Sequence, residues 1–277
     1  MYDTFPQPSR FNLLMPLTLQ YLGQTGFLLT DGAHTLIIDP YLSYSVDNLP
    51  GFAPEFWIRN YPPPVAPSEL RNVDLVLCSH DHLDHADPES LLGLAAASPH
   101  CRFAGPHQTV ALFHQIGLDP ARTFVVDADQ PFAWHDATIE PIAAAHEDYE
   151  VNADGHHRFL GFLIRWHHRT LYHAGDTIAT PQLSARLDRE RIDIGLLPVN
   201  GADDTRRQLD IVGNMDVAAA LTLADRHRFG LVVPMHFDLY PNNGLTPAQF
   251  AAAWFSHPAA KRVPLKLFTP GERHLLA

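Results

Sequence analysis

Apolar residues come in short runs separated by turn chemistry from early in the chain. Leu17 to Asp39 reads as strands, because Phe27 to Leu29 and then Thr35 to Ile38 flank Asp31-Gly32, a strong hairpin signal. Val73 to Cys78 is a short apolar run after Asn72, consistent with a buried strand. Asp87-Pro88-Glu89 then opens a helix by supplying a cap, a proline at the first helical position and an acid in the first turn. The alternation predicts a strand near Arg102 to Ala104, a helix from His107 to Ile116, and strands at Thr123 to Val126 and Ala137 to Ala144. After the polar stretch Glu147 to His157 come strands at Phe159 to Trp166 and Thr170 to His173, a helix at Pro181 to Leu187 and a strand at Ile192 to Val199. A helix from Asp216 to Arg226, a strand at Gly230 to Met235, a helix at Pro247 to Phe255 and a terminal strand at Pro264 to Phe268 complete the series.

Strands in two groups, each accompanied by helices, predict an α/β fold: two mixed sheets packed face to face with helices outside, a four-layer αββα sandwich. We expect residues 1–277 to form one body whose two halves meet near residue 145. With 277 residues and 46% hydrophobic composition, the chain can bury roughly three quarters of its unfolded surface, which excludes a stapled miniprotein. The segment 47–67 interrupts the pattern with prolines and aromatics, among them Phe56, Trp57 and Tyr61. Proline removes donors and blocks regular pairing, so this segment is expected to be a loop bordering the active-site mouth, its aromatics lining the entrance.

Acidic residues outnumber basic ones 31 to 19, a formal charge of -12, and no basic run is present, so nucleic acid is disfavoured as a partner. No window reaches about 18 apolar residues, which argues against a membrane span. Cys78 and Cys101 are too few for a disulfide framework, and the first 20 residues, with Asp3 and Arg10, lack an export-signal pattern. A cytoplasmic protein acting on a small molecule is expected, and a homo-oligomer is compatible with the sequence. The 18 histidines direct attention to metal ligands.

Ser79-His80-Asp81-His82-Leu83-Asp84-His85 follows the Val73 to Cys78 strand and precedes the Asp87 helix. A loop at the C-terminal end of a strand is where α/β sheets place ligands. In an extended loop His80 and His82 point the same way and reach one ion, whereas Asp84 and His85, past a bend, can face a second. Asp39 ends an apolar strand and either orients a ligand histidine or is an ordinary turn residue before Pro40. His173 reads as core or as support behind the ligands, and Cys78 as a small buried residue.

This H-x-H-x-D-H pattern resembles the first metal motif of the metallo-β-lactamase-fold hydrolases. Ala144-Ala145-His146 is similar to that family's third histidine, Tyr172-His173-Ala174-Gly175-Asp176-Thr177 to its bridging aspartate motif, and Val233-Pro234-Met235-His236 to its final histidine. The resemblance implies one ion on His80, His82 and His146, another on Asp84, His85 and His236, and Asp176 between them. Pro198-Val199-Asn200-Gly201, Ile211-Val212-Gly213-Asn214-Met215, Pro234-Met235-His236-Phe237-Asp238 and Pro270-Gly271-Glu272-Arg273 resemble the L-ascorbate-6-phosphate lactonase-like branch.

The expected cofactors are two divalent ions, Zn²⁺ or Mn²⁺, with Fe²⁺ tolerated by the mixed imidazole and carboxylate set. The expected activity is hydrolysis, in which metal-bound hydroxide attacks a lactone or ester of a small sugar acid, phosphorylated or not. Asp84 is the expected catalytic proton shuttle. Asn200, Arg206, Arg207, Asn214 and Tyr240 are the expected substrate contacts, the arginine pair suiting a phosphate. A phosphodiesterase, nuclease or thioester hydrolase on the same fold is the competing enzyme reading, and a non-catalytic metal-binding regulatory protein the competing class.

Overall fold

A computed structural model of the chain describes residues 16–51, 56–209 and 211–276. The N-terminal reading on Asp3 and Arg10, and residues 52–55 of the proline-rich loop, lie outside them.

Three strands open the described chain: β1 (Leu17–Gly23), β2 (Gly26–Thr30) and β3 (Thr35–Ile38), with Thr30 opposite Thr35 across the expected hairpin. In that turn Asp31 Oδ1 accepts the backbone N–H groups of Ala33 and His34, at 2.9 and 2.7 Å. The sheet continues in parallel through β4 (Leu75–Leu77), β5 (Arg102–Gly105) and β6 (Thr123–Val125). Helices α1 (Pro88–Ala97) and α2 (His107–Gln115) connect these strands, and the Asp87 carboxylate accepts from Ser90 N–H as the expected cap.

The second sheet runs β12-β11-β10-β9-β8-β7, built from β7 (Phe132–Trp134), β8 (Ala137–Ala143), β9 (Leu160–Trp166), β10 (Arg169–His173), β11 (Ile194–Pro198) and β12 (Leu231–Met235). The passage from one sheet to the other thus falls between Val125 and Phe132, upstream of position 145. Helices α3 (Pro181–Leu187), α4 (Asp204–Gln208), α5 (Val217–Arg226) and α6 (Pro247–Ser256) belong to this half.

The alternation of side chains along β3 and β4 explains the layering. Leu36, Ile38, Leu75 and Leu77 pack with Ile139, Phe162 and Ile164 between the two sheets. Ile37 and Val76, pointing the other way, pack with Leu91, Leu94 and Phe113 of the helices outside. Leu183, Leu221 and Trp254 cover the second sheet. The fold is the expected sandwich of two mixed sheets between helices.

One expected strand is corrected. Pro264 to Phe268 makes only an isolated bridge, Leu265 to Val232, and the terminal strand is instead β13 (Arg273–Leu276), antiparallel to β1. A proline at 264 and the exposure of Leu267 leave that run little surface to bury, whereas Leu276 reaches the core opposite Leu17. No helix among the described residues is long and apolar enough to cross a membrane.

Candidate metal centre

Four strands stop at one edge of the sandwich and each hands on donor side chains there. After β4 comes the loop with His80, His82, Asp84 and His85; after β8 comes His146, after β10 Asp176, and directly after β12 His236. At Gly175, φ is +61°, and a Cβ would meet the Leu160 carbonyl oxygen at 2.4 Å, so only glycine allows the turn that delivers Asp176.

The seven expected ligands are brought together. One donor atom each from His80, His82 and His146 lies within 4.8 Å of the others; Asp84, His85 and His236 form a second such group, and His80, His85 and Asp176 a third that overlaps both. Asp176 stands between them, with Oδ1 3.4 Å from His85 Nε2, and Oδ2 3.5 Å from His146 Nε2 and 3.3 Å from His236 Nε2. Asp84 Oδ2 is 3.5 Å from His236 Nε2 and 3.9 Å from His85 Nε2.

Whether this set suits a cation is decided by its unpaired atoms. His80 Nε2, His85 Nε2 and Asp176 Oδ1 are buried and have no hydrogen-bond partner among the described residues. A buried polar atom left unpaired costs about 1–3 kcal/mol; His80 Nε2 has no partner and His85 Nε2 and Asp176 Oδ1 have only each other, at 3.4 Å, so the set fits a cation, for which imidazole and carboxylate are donors. Burial lowers the pKa of His80 and His82 and takes His146 down to about 4, keeping these rings neutral, the state that coordinates metal. Burial acts the same way on His85 and His236, but the carboxylates of Asp176 and Asp84 outweigh it and raise both. For Asp84 and Asp176 burial raises the pKa, yet His85 and His236 hold both carboxyls below their usual range.

A supporting layer aims the rings. His85 Nδ1 donates to Asp39 Oδ2 at 2.8 Å, and Asp39 is fixed in turn by the Ser79 hydroxyl and backbone N–H, each at 2.7 Å. Asp39 is thus a residue that orients a histidine, and it turns His85 Nε2 toward the cluster. Ser79 Oγ lies 3.0 Å from His80 Nδ1, and the Gly213 carbonyl 3.1 Å from His146 Nδ1. His173 is buried, bonded through Nε2 to the Thr25 carbonyl and through Nδ1 to Gly175 N–H, so it braces the turn before Asp176. Cys78 is buried, as expected, and burial raises its thiol pKa.

Sequence reasoning missed Gln24. Its amide Nε2 donates to Asp84 Oδ2 at 2.9 Å and lies 3.3 Å from His236 Nδ1, and its backbone carbonyl accepts from His236 N–H at 2.9 Å. Gln24, Asp39 and His236 all have positive φ, at 55°, 46° and 60°. Non-glycine residues in that region cost about 1–3 kcal/mol each and gather where side chains must be held in one direction. The only sequence signal was Gly23-Gln24-Thr25-Gly26, which reads as a plain turn.

Above the donors lies a cavity of about 420 Å³. Of the five expected substrate contacts, Tyr240 lines it. Asn200 and Asn214 are buried and bonded to one another, and Asn200 also donates to Asn243. The Arg206 guanidinium is engaged by Asp203, Asn243 and the Gly244 carbonyl, and that of Arg207 by Asp204 and the Ala202 carbonyl. Neither arginine is among the residues around the cavity, because nearby acceptors hold both. From the proline-rich loop Trp57 lines the entrance, Phe56 packs edge-on against Trp57, and Tyr61 sits behind, donating to Asp238 at 2.8 Å.

The beta-lactamase superfamily domain profile matches residues 34–237. The chain is 28% identical over 262 residues to a UPF0173 metal-dependent hydrolase of Opitutus terrae, covering 92% of this chain and 98% of that protein. It is 25% identical over 213 residues to a probable L-ascorbate-6-phosphate lactonase of Escherichia fergusonii, covering 71% of this chain and 58% of that one. Among solved structures, an isothiocyanate hydrolase from Delia radicum gut bacteria superposes with a TM-score of 0.72 at 20% identity, over 93% of this chain and 98% of that one, and so shares the fold. With a profile that spans well over half its length and ends one residue beyond His236, the chain belongs to the beta-lactamase superfamily and has the metallo-β-lactamase-like fold.

Proposed function

We propose that the chain hydrolyses an ester or lactone bond of a small molecule with two divalent ions, Zn²⁺ or Mn²⁺. His80, His82 and His146 would hold one ion and Asp84, His85 and His236 the other, with Asp176 shared. The observation that carries this reading is the convergence of buried donor atoms without a hydrogen-bond partner, on His80, His85 and Asp176, beneath a cavity lined by His82, Asp84, His146, Asp176 and His236. When bound, such ions acidify water and polarise the oxygen of the scissile group.

The chain's own residues do the rest. Asp84 is held ionised by His85 and His236 and lines the cavity, so it is placed to take a proton and return it to the leaving alkoxide. Gln24 and His236 both approach Oδ2, which leaves Oδ1 for that exchange. Asp39 keeps His85 in one tautomer, and the Gly213 carbonyl fixes the His146 ring. The likeness to a probable lactonase supports the ester class. A phosphate on the substrate lacks support, since Arg206 and Arg207 are engaged away from the cavity.

A hydrolysis screen tests this. Protein reconstituted with Zn²⁺ or Mn²⁺ is assayed against lactones, carboxylic esters, phosphodiesters and thioesters, with metal counted in parallel. Two equivalents of metal and turnover of lactones or esters are expected. Less than one equivalent, or turnover confined to phosphodiesters, overturns the proposal.

A further inference from the structure

Resting on that reading, we infer that the substrate's non-reacting part is neutral and apolar, seated between two hydrophobic walls above the metal floor. One wall is Val46, Leu49 and Trp57, with Leu83 from the metal-binding loop; the other is Ile211 and Val212. The first wall is backed by packed side chains: Trp57 lies edge-on to Tyr240, ring centroids 5.3 Å apart, and Tyr41, Val46, Leu239 and Tyr240 form one buried cluster. It is therefore a preformed surface. The second wall adjoins Gly213, whose carbonyl orients His146, so a group pressed against Val212 lies one residue from a ligand's support.

The polar oxygens of Tyr240, Asn243 and Asp81 around the cavity are already engaged. The Tyr240 hydroxyl bonds to Asp47 and Tyr41, each at 2.7 Å. Asn243 Oδ1 accepts from Asn200 at 2.9 Å and from Arg206 at 3.3 Å. Asp81 accepts from Arg158 at 2.9 Å and from Gln108 at 3.1 Å. No lysine or arginine is among the described residues around the cavity, while Asp81, Asp84 and Asp176 are. The two ions of the proposed centre lie at the floor and face the reacting group, so an anionic substituent held between the walls would lose its hydration with no cationic side chain there to replace it. An alkyl or aryl group would gain by burial and disturb no existing bond.

The test needs a readout independent of turnover. Metal-loaded protein is titrated in a calorimeter with alkyl hydroxamates from acetyl to octanoyl, and in parallel assayed on the matching 4-nitrophenyl esters and on esters with a carboxylate at the chain end. Affinity and kcat/KM are expected to rise about fourfold per added methylene until the cavity is filled, and the terminal carboxylate to abolish that gain. Trp57→Ala and, on the other wall, Val212→Asp should each flatten the chain-length slope with two metals still bound, so the idea survives a failure of either variant to fold. Chain-independent affinity, or preference for the carboxylated series, overturns the inference and leaves ester hydrolysis standing. Chain-dependent binding without turnover of any ester overturns the reaction and leaves the apolar seat standing.

Discussion

Two clusters of histidine and aspartate among the described residues sit at opposite ends of the sandwich, and they differ in how their donor atoms are engaged. At the ends of β4, β8, β10 and β12, His80 Nε2, His85 Nε2 and Asp176 Oδ1 are buried and unpaired among the described residues. At the other end, in the turns before β3, β8 and β10, Asp31, Asp136 and His167 also bring donor atoms within 4.8 Å of one another. There His167 Nε2 meets Asp31 and Nδ1 meets Asp136, each at 3.1 Å, so both ring nitrogens are used. The backbone differs in the same sense. Positive φ at His135, His167 and His168 serves tight hairpin turns, whereas positive φ at Gln24, Asp39 and His236 aims side chains inward. Proximity of ligand types is therefore common to both ends, and the unpaired atom distinguishes them.

Removing the metals should produce the largest effect. Dialysis against a strong chelator is expected to abolish turnover and to lower Tm by roughly 10 °C, since a ligand at a thousand times its Kd stabilises by about 4 kcal/mol. An unchanged melting curve would mean that the unpaired cluster does not bind metal and that the two ends are alike. Next comes Asp84→Asn. The amide coordinates weakly through its oxygen and cannot take a proton, so kcat should fall by about 10² to 10⁴ or more while the protein folds and keeps metal on His80, His82 and His146. Asp84 is on a loop, so Tm of the loaded variant should drop only modestly. Turnover at the wild-type rate would remove Asp84 from the mechanism.

Asp39→Asn is milder, because Asp39 acts through His85. Losing the carboxylate that fixes a ligand histidine typically costs 10- to 100-fold in metal affinity. Competition with a chromophoric chelator should show that loss for one of two equivalents, with the Asp39→Glu variant partly restoring it. An equal loss at both sites would mean a general loosening of the floor.

The candidate metal centre was largely legible in the sequence because its information is local. H-x-H-x-D-H lies in six consecutive positions, and His146, Asp176 and His236 each follow an apolar run that can be read as a strand. What escaped depends on distant partners. Gln24 acquires its role only when His236, 212 residues away, comes beside it. Strand β13 is four residues long and gains its place from β1 at the other end of the chain, while Pro264 to Phe268 has a strand's composition but pairs at one residue. Arg206 and Arg207 had the right charge for a phosphate, but acceptors brought by folding, Gly244 and Asn243 among them, turn Arg206 elsewhere. Residue type announces chemistry, and direction is supplied by tertiary contacts.

The smallest effect belongs to the self-satisfied end and sharpens the contrast most directly. Asp31→Asn keeps the side-chain oxygen that caps the Ala33 and His34 N–H groups and removes the charge facing His167. Burial raises the Asp31 pKa, but the His34 N–H, the His167 contact and the Ala33 N–H together lower it from 3.8. A carboxylate depressed in the folded state contributes stability above its unfolded pKa and loses it as pH falls through the folded value. The variant should therefore be less stable by about 1 kcal/mol at pH 7, an amount typical of a partly exposed charged contact. That deficit should stay constant down to about pH 5 and shrink toward zero below about pH 3. Urea midpoints across that range measure it, and metal content should remain at two with kcat unchanged. A wild-type count of three that falls to two in the variant would show that the turn cluster binds an ion after all, and that paired nitrogens do not exclude a site.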